Sequence, residues 1–164
     1  MWQAIWDTVL SEFSDIPDTA QITRIALRLL VAAILGGILG YERERSGKTA
    51  GVRTHMLVAL GAALFVLIPQ QAGTSPADMS RILQGVVAGV GFLGAGSIVS
   101  GNIQTETRGL TTAAGIWVTA AIGIAVGLGR ESTAVLSTLI ALLVLSGVPL
   151  ISRNGREKTR DTNR

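Results

Sequence analysis

Two polar segments of this sequence carry the side chains that are able to do chemistry. The first is GYERERSGKTAGVRTHML, from Gly40 to Leu57, with two glutamates, three arginines, a lysine and the only histidine of the chain. The second is SGNIQTETRGLTT, from Ser100 to Thr112. Both lie between apolar stretches, and together they supply a candidate functional site at Glu42, Arg43, Glu44, Lys48, Arg53, Thr54, His55, Glu106, Arg108, Thr111 and Thr112.

The charges near two predicted helix ends suggest how the first segment is organised. Glu42 follows directly on an apolar run, where a carboxylate opposes the dipole at the C-terminal end of a helix. Arg53 and His55 lie near the N-terminal end of the next helix and oppose the dipole there. We therefore predict an ion pair between Glu42 and Arg53 or His55. The plainer interpretation is that this segment is only a solvated membrane anchor.

The sequence offers no recognisable catalytic set. It has no cysteine, no HExxH, no Walker loop and no Ser/His/Asp arrangement of known spacing. We predict that the protein is not an enzyme and assign no cofactor. The glutamates are oxygen ligands of the kind that magnesium prefers, but their spacing is not diagnostic, so no metal site is assigned. Thr111 and Thr112 open a predicted helix with hydroxyls suited to capping or to an anion.

Long uncharged runs must position these segments. They cover residues 29–41, 56–77, 82–104 and 110–129, and apolar runs of about 20 residues predict transmembrane helices. A soluble bundle is disfavoured because too few polar faces remain. We predict an all-α, polytopic membrane helix bundle with five transmembrane helices, preceded by a short amphipathic N-terminal helix. The predicted spans are Ile22–Tyr41, Ala50–Pro69, 82–100, 110–129 and 133–151, with Asp18 or Thr19 as the cap of the first.

The chain divides into three predicted parts. Residues 1–21 form an extracytoplasmic interfacial segment, because Trp2, Ile5, Trp6, Val9, Leu10 and Phe13 recur at helical spacing on one face. Residues 22–151 form the membrane domain. Residues 152–164 form a basic cytoplasmic tail that we expect to be disordered.

Small residues and one buried charge predict how the spans pack. The first span has a glycine pair four residues apart, the fourth has a stripe of glycine and threonine at the same spacing, and the third is dense in glycine. These small residues permit close helix contact, either with a partner or within one chain. The positions are Gly36, Gly40, Gly89, Gly91, Gly94, Gly96, Gly115, Thr119, Gly123 and Gly127. Arg28 lies two turns inside the first span, and a charge at that depth usually faces the bundle interior or a partner. Besides the lipid bilayer, we expect a homodimer or small oligomer as partner.

Lysine and arginine are concentrated in the loop after the first span and in the tail. The loops after the second and fourth spans have one arginine each, Arg81 and Arg130, and the N-terminal segment is acidic. The positive-inside rule then predicts the N-terminus outside and the C-terminus in the cytoplasm. The high isoelectric point is a consequence of this topology, so no nucleic-acid partner is predicted.

Four motifs in order resemble the MgtC/SapB family of bacterial inner-membrane proteins. G-x-E-R falls on Gly40 to Arg43, K-x-A-G-[LV]-R-T-H on Lys48 to His55, G-[IV]-G-F-[LI]-G-A-G on Gly89 to Gly96, and R-G-L-T-T-A-A on Arg108 to Ala114. The resemblance implies a link to growth in low magnesium, through regulation of other membrane proteins. In some relatives these include ATP synthase, with a role in intracellular survival and virulence.

The resemblance also marks a difference and an alternative. Longer members carry a soluble C-terminal domain after the last span, whereas this sequence ends at Arg164, so we expect the membrane domain only. The alternative function is a small transporter or channel for magnesium or protons, with the charged segment lining a vestibule.

Overall fold

The computed structural model describes residues 1–12, 18–99 and 109–147, and these form a bundle of helices. Phe13, Glu106, Arg108 and the predicted tail lie outside the described residues, so the predictions made for them stay predictions. The helices in chain order are α1 (Trp2–Glu12), α2 (Thr19–Arg45), α3 (Val52–Gln71), α4 (Pro76–Val99), α5 (Leu110–Gly127) and α6 (Glu131–Leu142), which a π-helical turn at Leu143–Gly147 continues.

The predicted class, a helical membrane bundle, is confirmed. Four helices, α2 to α5, are long and apolar enough to cross a bilayer. The fifth predicted span is a shorter apolar helix at Glu131–Gly147, up to the limit of the described residues. Large apolar side chains cover the outside of the bundle, where they contact lipid, and include Ile34, Phe65, Phe92, Trp117 and Leu139.

The core of the bundle is built from α2, α3 and α5. Helix α3 lies between the other two and packs most extensively against them. Small and medium side chains fill the contact, because bulky ones would keep the helices apart. The largest core cluster consists of Ala32, Leu35, Leu39, Ala59, Ala63, Ile122, Val126 and Ala134.

Helix α4 stands apart from this core. It packs on α5 and contacts α3 less extensively. Only 6% of the residues in its most apolar stretch are buried. A cavity of about 560 Å³ separates α3 from α4. We call it the α3–α4 groove; its lining includes Gly61, Ala62, Phe65, Gly85, Gly89 and Leu93.

The first span ends one turn later than the sequence suggested. The prediction that it stops at Tyr41 is wrong, because α2 continues to Arg45. Glutamate and arginine are good helix formers, and Arg43 and Arg45 suit the negative end of the helix dipole. The helix ends where Gly47 adopts φ 66°, with Lys48 and Gly47 donating their backbone N–H groups to the carbonyls of Arg43 and Glu44.

The third span begins before the predicted start at Ile82. Helix α4 starts at Pro76, and the Ser75 hydroxyl accepts a hydrogen bond from the backbone N–H of Asp78 at 3.2 Å. A serine followed by a proline is a typical start of a helix. The sequence prediction nevertheless assigned Ser75 and Pro76 to a loop. The predicted cap of the first span is confirmed, since Asp18 accepts from Ala20 N at 3.3 Å.

Helix α1 has the predicted amphipathic pattern but no buried residue. Trp2 and Trp6 are exposed. Its location in the membrane interface stays a prediction.

Candidate functional site

The candidate site is organised around an ion pair on the last turn of α2. The Arg43 guanidinium bonds the Glu42 carboxylate through Nε and Nη2, and Ser46 Oγ donates to Glu42 Oε1 at 2.8 Å. Arg43 is only 2% exposed. Its Nη2 also donates to the Leu145 carbonyl at 3.4 Å, in the π-helical turn after α6. The pair therefore ties the end of α2 to the far end of the described chain.

The predicted ion pair between Glu42 and Arg53 or His55 is wrong. Arg53 is exposed, and among the described residues it takes part in no ion pair. Residues two apart lie on nearly opposite sides of a helix, so Arg53 and His55 cannot both face Glu42. His55 takes the inner side of α3 and is fully buried.

Glu44 lies across the short loop from the start of α3. Its Oε2 accepts a hydrogen bond from the backbone N–H of Val52 at 3.0 Å, and Val52 is the first residue of α3. A carboxylate at the end of α2 thereby becomes a cap for the N-terminus of α3, where negative charge is favourable. Gly51 makes room, because a Cβ on it would overlap the Glu44 carboxylate.

His55 lies beside the ion pair and faces α5. Its Nδ1 is 3.0 Å from the Gly51 carbonyl oxygen, which can only accept, so Nδ1 carries a proton. Two side chains approach Gly115 of α5. A Cβ placed on Gly115 would be 3.5 Å from His55 Nε2 and 3.9 Å from Arg43 Cδ. Gly115 is thus the point of α5 against which both side chains pack.

The remaining predicted site residues are spread around this centre. Thr112 is buried and Thr54 and Thr111 are exposed, whereas Lys48 is half-buried. Thr54 faces a cavity at the end of the bundle shared with Gly96 and Ser97 of α4. In the described ranges no three acidic or histidine side chains come together in a way that could hold a metal ion.

The glycine positions fall into two groups. Gly36 and Gly40 of α2 touch α3, where a Cβ would stand 2.5 Å from the His55 carbonyl oxygen and 2.6 Å from Val52 Cα respectively. Gly123 and Gly127 of α5 touch α3 from the other side, and Gly94 of α4 meets Ala113. Thr119, also buried, donates its hydroxyl to the Gly115 carbonyl at 2.8 Å. The stripe on α5 is therefore used within one chain, one of the two uses the sequence left open.

Gly89, Gly91 and Gly96 of α4 form the second group. Apart from the neighbouring backbone of α4 itself, no described atom lies within 4 Å of a Cβ built on any of them. They are exposed, although α4 is rich in glycine.

Arg28 forms a separate cluster at the opposite end of the bundle. Its Nη1 donates to Gln70 Oε1 and to the Gly127 carbonyl, each at 3.0 Å, and its Nε is 3.6 Å from Glu131 Oε1. It thus joins the C-terminal ends of α3 and α5 to the start of α6. Arg28 was predicted from the sequence, but its partners Gln70 and Glu131 were not. Their positions beside the predicted span ends were the signal that could have found them.

A bundle of apolar helices, with a buried ion pair at the end of α2 and a part-exposed ion pair near the opposite end of the bundle, defines a multi-pass membrane protein. The profile of the MgtC family matches residues 29–154. This chain belongs to the MgtC family of bacterial membrane proteins.

Three relatives are similar to most of this chain. The chain is 44% identical to Protein SrpB of Synechococcus elongatus over 79% of its own length and 77% of that protein. It is 44% identical to the Escherichia coli protein named "Putative magnesium transporter YhiD" over 73% of its length and 58% of that protein. It is 45% identical to Protein MgtC of Salmonella typhimurium over 71% of its length, and spans 48% of that protein. No solved structure matches.

Proposed function

We propose that this chain takes part in magnesium homeostasis by contacting and regulating another membrane protein, without enzymatic activity. The magnesium link is supported by the name of the E. coli relative and by membership of the MgtC family. The observation that carries the contact is the α3–α4 groove. Gly85 and Gly89 open onto it from α4 and Gly61 opens onto it from α3.

The groove suits a transmembrane helix. Small residues in membrane helices let a second backbone approach closely, whereas lipid chains gain nothing from a glycine. The groove has a volume of about 560 Å³, and large apolar side chains such as Phe65 flank it. A second copy of the chain would use the same surface, so an oligomer and a heteromeric complex are both forms of this proposal. ATP synthase is the target that the family resemblance implies.

The topology proposed with this function puts the N-terminus outside and the C-terminus in the cytoplasm of the inner membrane. The arginines and lysines near the α2–α3 loop support it. The candidate site of Glu42, Arg43 and His55 would then lie on the cytoplasmic side.

Growth in low-magnesium medium tests the proposal. A strain that lacks the gene is complemented with the wild type, with Gly89→Leu and with Gly91→Leu. Both glycines are on α4 and have no described neighbour within 4 Å, but only Gly89 lines the groove. Gly89→Leu is expected to fail at membrane levels matched by immunoblot, whereas Gly91→Leu complements. Equal growth of the two variants contradicts a role for the groove.

The second candidate function is transport of magnesium or protons. Charges inside membrane spans are commonly functional. Arg43 is buried at the C-terminal end of α2, and Arg28, whose side chain is 16% exposed, lies in the N-terminal half of the same helix. Against transport, the two described carboxylates of the candidate site have partners within the chain, Arg43 for Glu42 and the Val52 N–H for Glu44. Flux into proteoliposomes that disappears in Glu42→Gln would establish transport, and the absence of flux supports regulation.

A further inference from the structure

A second cavity, of about 390 Å³, lies between α5 and α6 and reaches the candidate site. Its lining is almost entirely apolar, with Val118, Ile140 and Val144 among the contributing residues. Ile140 and Val144 are also exposed on the outer surface of the bundle, so the cavity opens beside the side chains that face lipid. Its size and lining are typical of a site for a small organic molecule.

Three polar side chains line this cavity, His55, Thr111 and Ser137, and of these only His55 has a buried polar atom without a hydrogen-bond partner among the described residues. His55 is fully buried, and its Nε2 has no hydrogen-bond partner in the part of the chain that the structure describes. The atom faces Gly115, and both residues line the cavity. Buried polar groups in folded proteins are nearly always hydrogen-bonded, because leaving one unpaired costs about 1–3 kcal/mol.

The tautomer decides which chemistry would satisfy this atom. Nδ1 carries a proton that it donates to the Gly51 carbonyl, so in the neutral ring Nε2 presents a lone pair. It needs a donor, and a hydroxyl supplies one without bringing a charge into an apolar cavity. A long apolar body would fill the remaining volume and gain about 25 cal/mol for each Å² that it buries.

We propose that this cavity binds an uncharged amphiphile, with an apolar chain between α5 and α6 and a hydroxyl that donates to His55 Nε2. The chemical class is that of lipid alcohols, which reach the cavity from the bilayer. The site is separate from the α3–α4 groove and does not depend on the function proposed for it. Arg43 packs beside the same glycine and bonds the Leu145 carbonyl, and Leu145 lines the cavity. Binding of the amphiphile would therefore change the surroundings of the Glu42–Arg43 ion pair.

The single histidine makes the proposal directly measurable. Protein labelled with ¹⁵N in its histidine ring gives one pair of imidazole signals, since the chain has one histidine. The protein is placed in nanodiscs and titrated with 1-decanol, and separately with decyl methyl ether, which has the same apolar body but no donor. The Nε2 resonance is expected to move upfield and saturate with the alcohol and to stay in place with the ether.

Two variants at Gly115 sharpen the test. A Cβ there would be 3.5 Å from Nε2, so Gly115→Ser supplies a hydroxyl from the protein itself, whereas Gly115→Ala adds the carbon without the donor. Gly115→Ser should show the upfield position without additive and no response to 1-decanol; Gly115→Ala should keep the response.

Three results would overturn the proposal. The first is an Nε2 resonance that no concentration of 1-decanol moves. The second is an equal shift with the ether, which would reflect apolar partitioning alone. The third is a wild-type resonance that already has the position of Gly115→Ser, since water or another segment of the chain would then occupy the site.

Discussion

Helices α5 and α4 are both rich in glycine, but they differ in what the glycines do. On α5, Gly123 and Gly127 lie against the backbone of α3, so close that a Cβ on Gly127 would stand 2.8 Å from the Ala63 carbonyl oxygen. On α4, Gly89 and Gly91 meet no described atom within 4 Å. A glycine-rich sequence thus forms a close helix contact on α5 and leaves an open surface on α4. Small residues therefore predict how closely a helix can pack, but not whether its partner lies in the same chain.

The largest loss of stability is expected from a leucine in the contact between α5 and α3. Gly123→Leu must push α5 away from α3, because even a Cβ would stand 2.9 Å from Ala59 Cα. Overpacking typically costs about 1–3 kcal/mol and occasionally more, and we expect the upper part of that range. Unfolding in a denaturing detergent, followed by circular dichroism, measures the loss.

The matched substitution on α4 is Gly91→Leu. The new side chain has free space around it, and leucine is a better helix former than glycine. The variant should therefore be as stable as the wild type or more stable, by at most about 1 kcal/mol. A loss as large as that of Gly123→Leu would show that α4 is packed where the structure leaves it open.

The next effect separates the buried ion pair from an exposed one. Arg43→Met leaves Glu42 beside an apolar neighbour. Breaking a fully buried pair costs about 3–5 kcal/mol, and we expect about half of that loss, roughly 2 kcal/mol, because the Glu42 side chain is 15% exposed to solvent. Arg81→Met on α4 removes a pair with Asp78 whose side chains are 81% and 60% exposed, and pairs of this kind are worth about 0–1 kcal/mol. The same unfolding assay compares the two, and equal losses would contradict the burial of Arg43.

The smallest effect concerns the helix caps on the two sides. Glu44→Ala removes the acceptor for Val52 N–H, and Ser75→Ala removes the acceptor for Asp78 N–H. Each loss should cost about 0.5–2 kcal/mol. Glu44→Gln keeps an acceptor oxygen and should recover part of the loss. A Glu44→Ala variant as stable as the wild type would show that this hydrogen bond contributes nothing.

Sequence reasoning found the elements better than the contacts. Uncharged runs located the spans, and the Asp18 cap followed from residue type. Span ends were less accurate, because Gly47, Gly73 and Gly129, each with positive φ at a helix end, were not used as stop signals. The partner of Glu42 could not be predicted, since it depends on α2 continuing past Tyr41 and on Arg53 facing outward. The partners of Arg28 come from three helices, whose relative placement the one-dimensional pattern does not contain.

The central claim is that the α3–α4 groove contacts another membrane protein, and photo-crosslinking in native membranes tests it most directly. A photoreactive amino acid is placed at Phe65, which lines the groove, and in a second strain at Ile34, which is exposed on α2. The products are identified by mass spectrometry. We expect one reproducible protein adduct from Phe65 and none from Ile34. The crosslinked protein is either a different membrane protein or a second copy of this chain. Adducts to lipid alone from both positions would contradict the central claim.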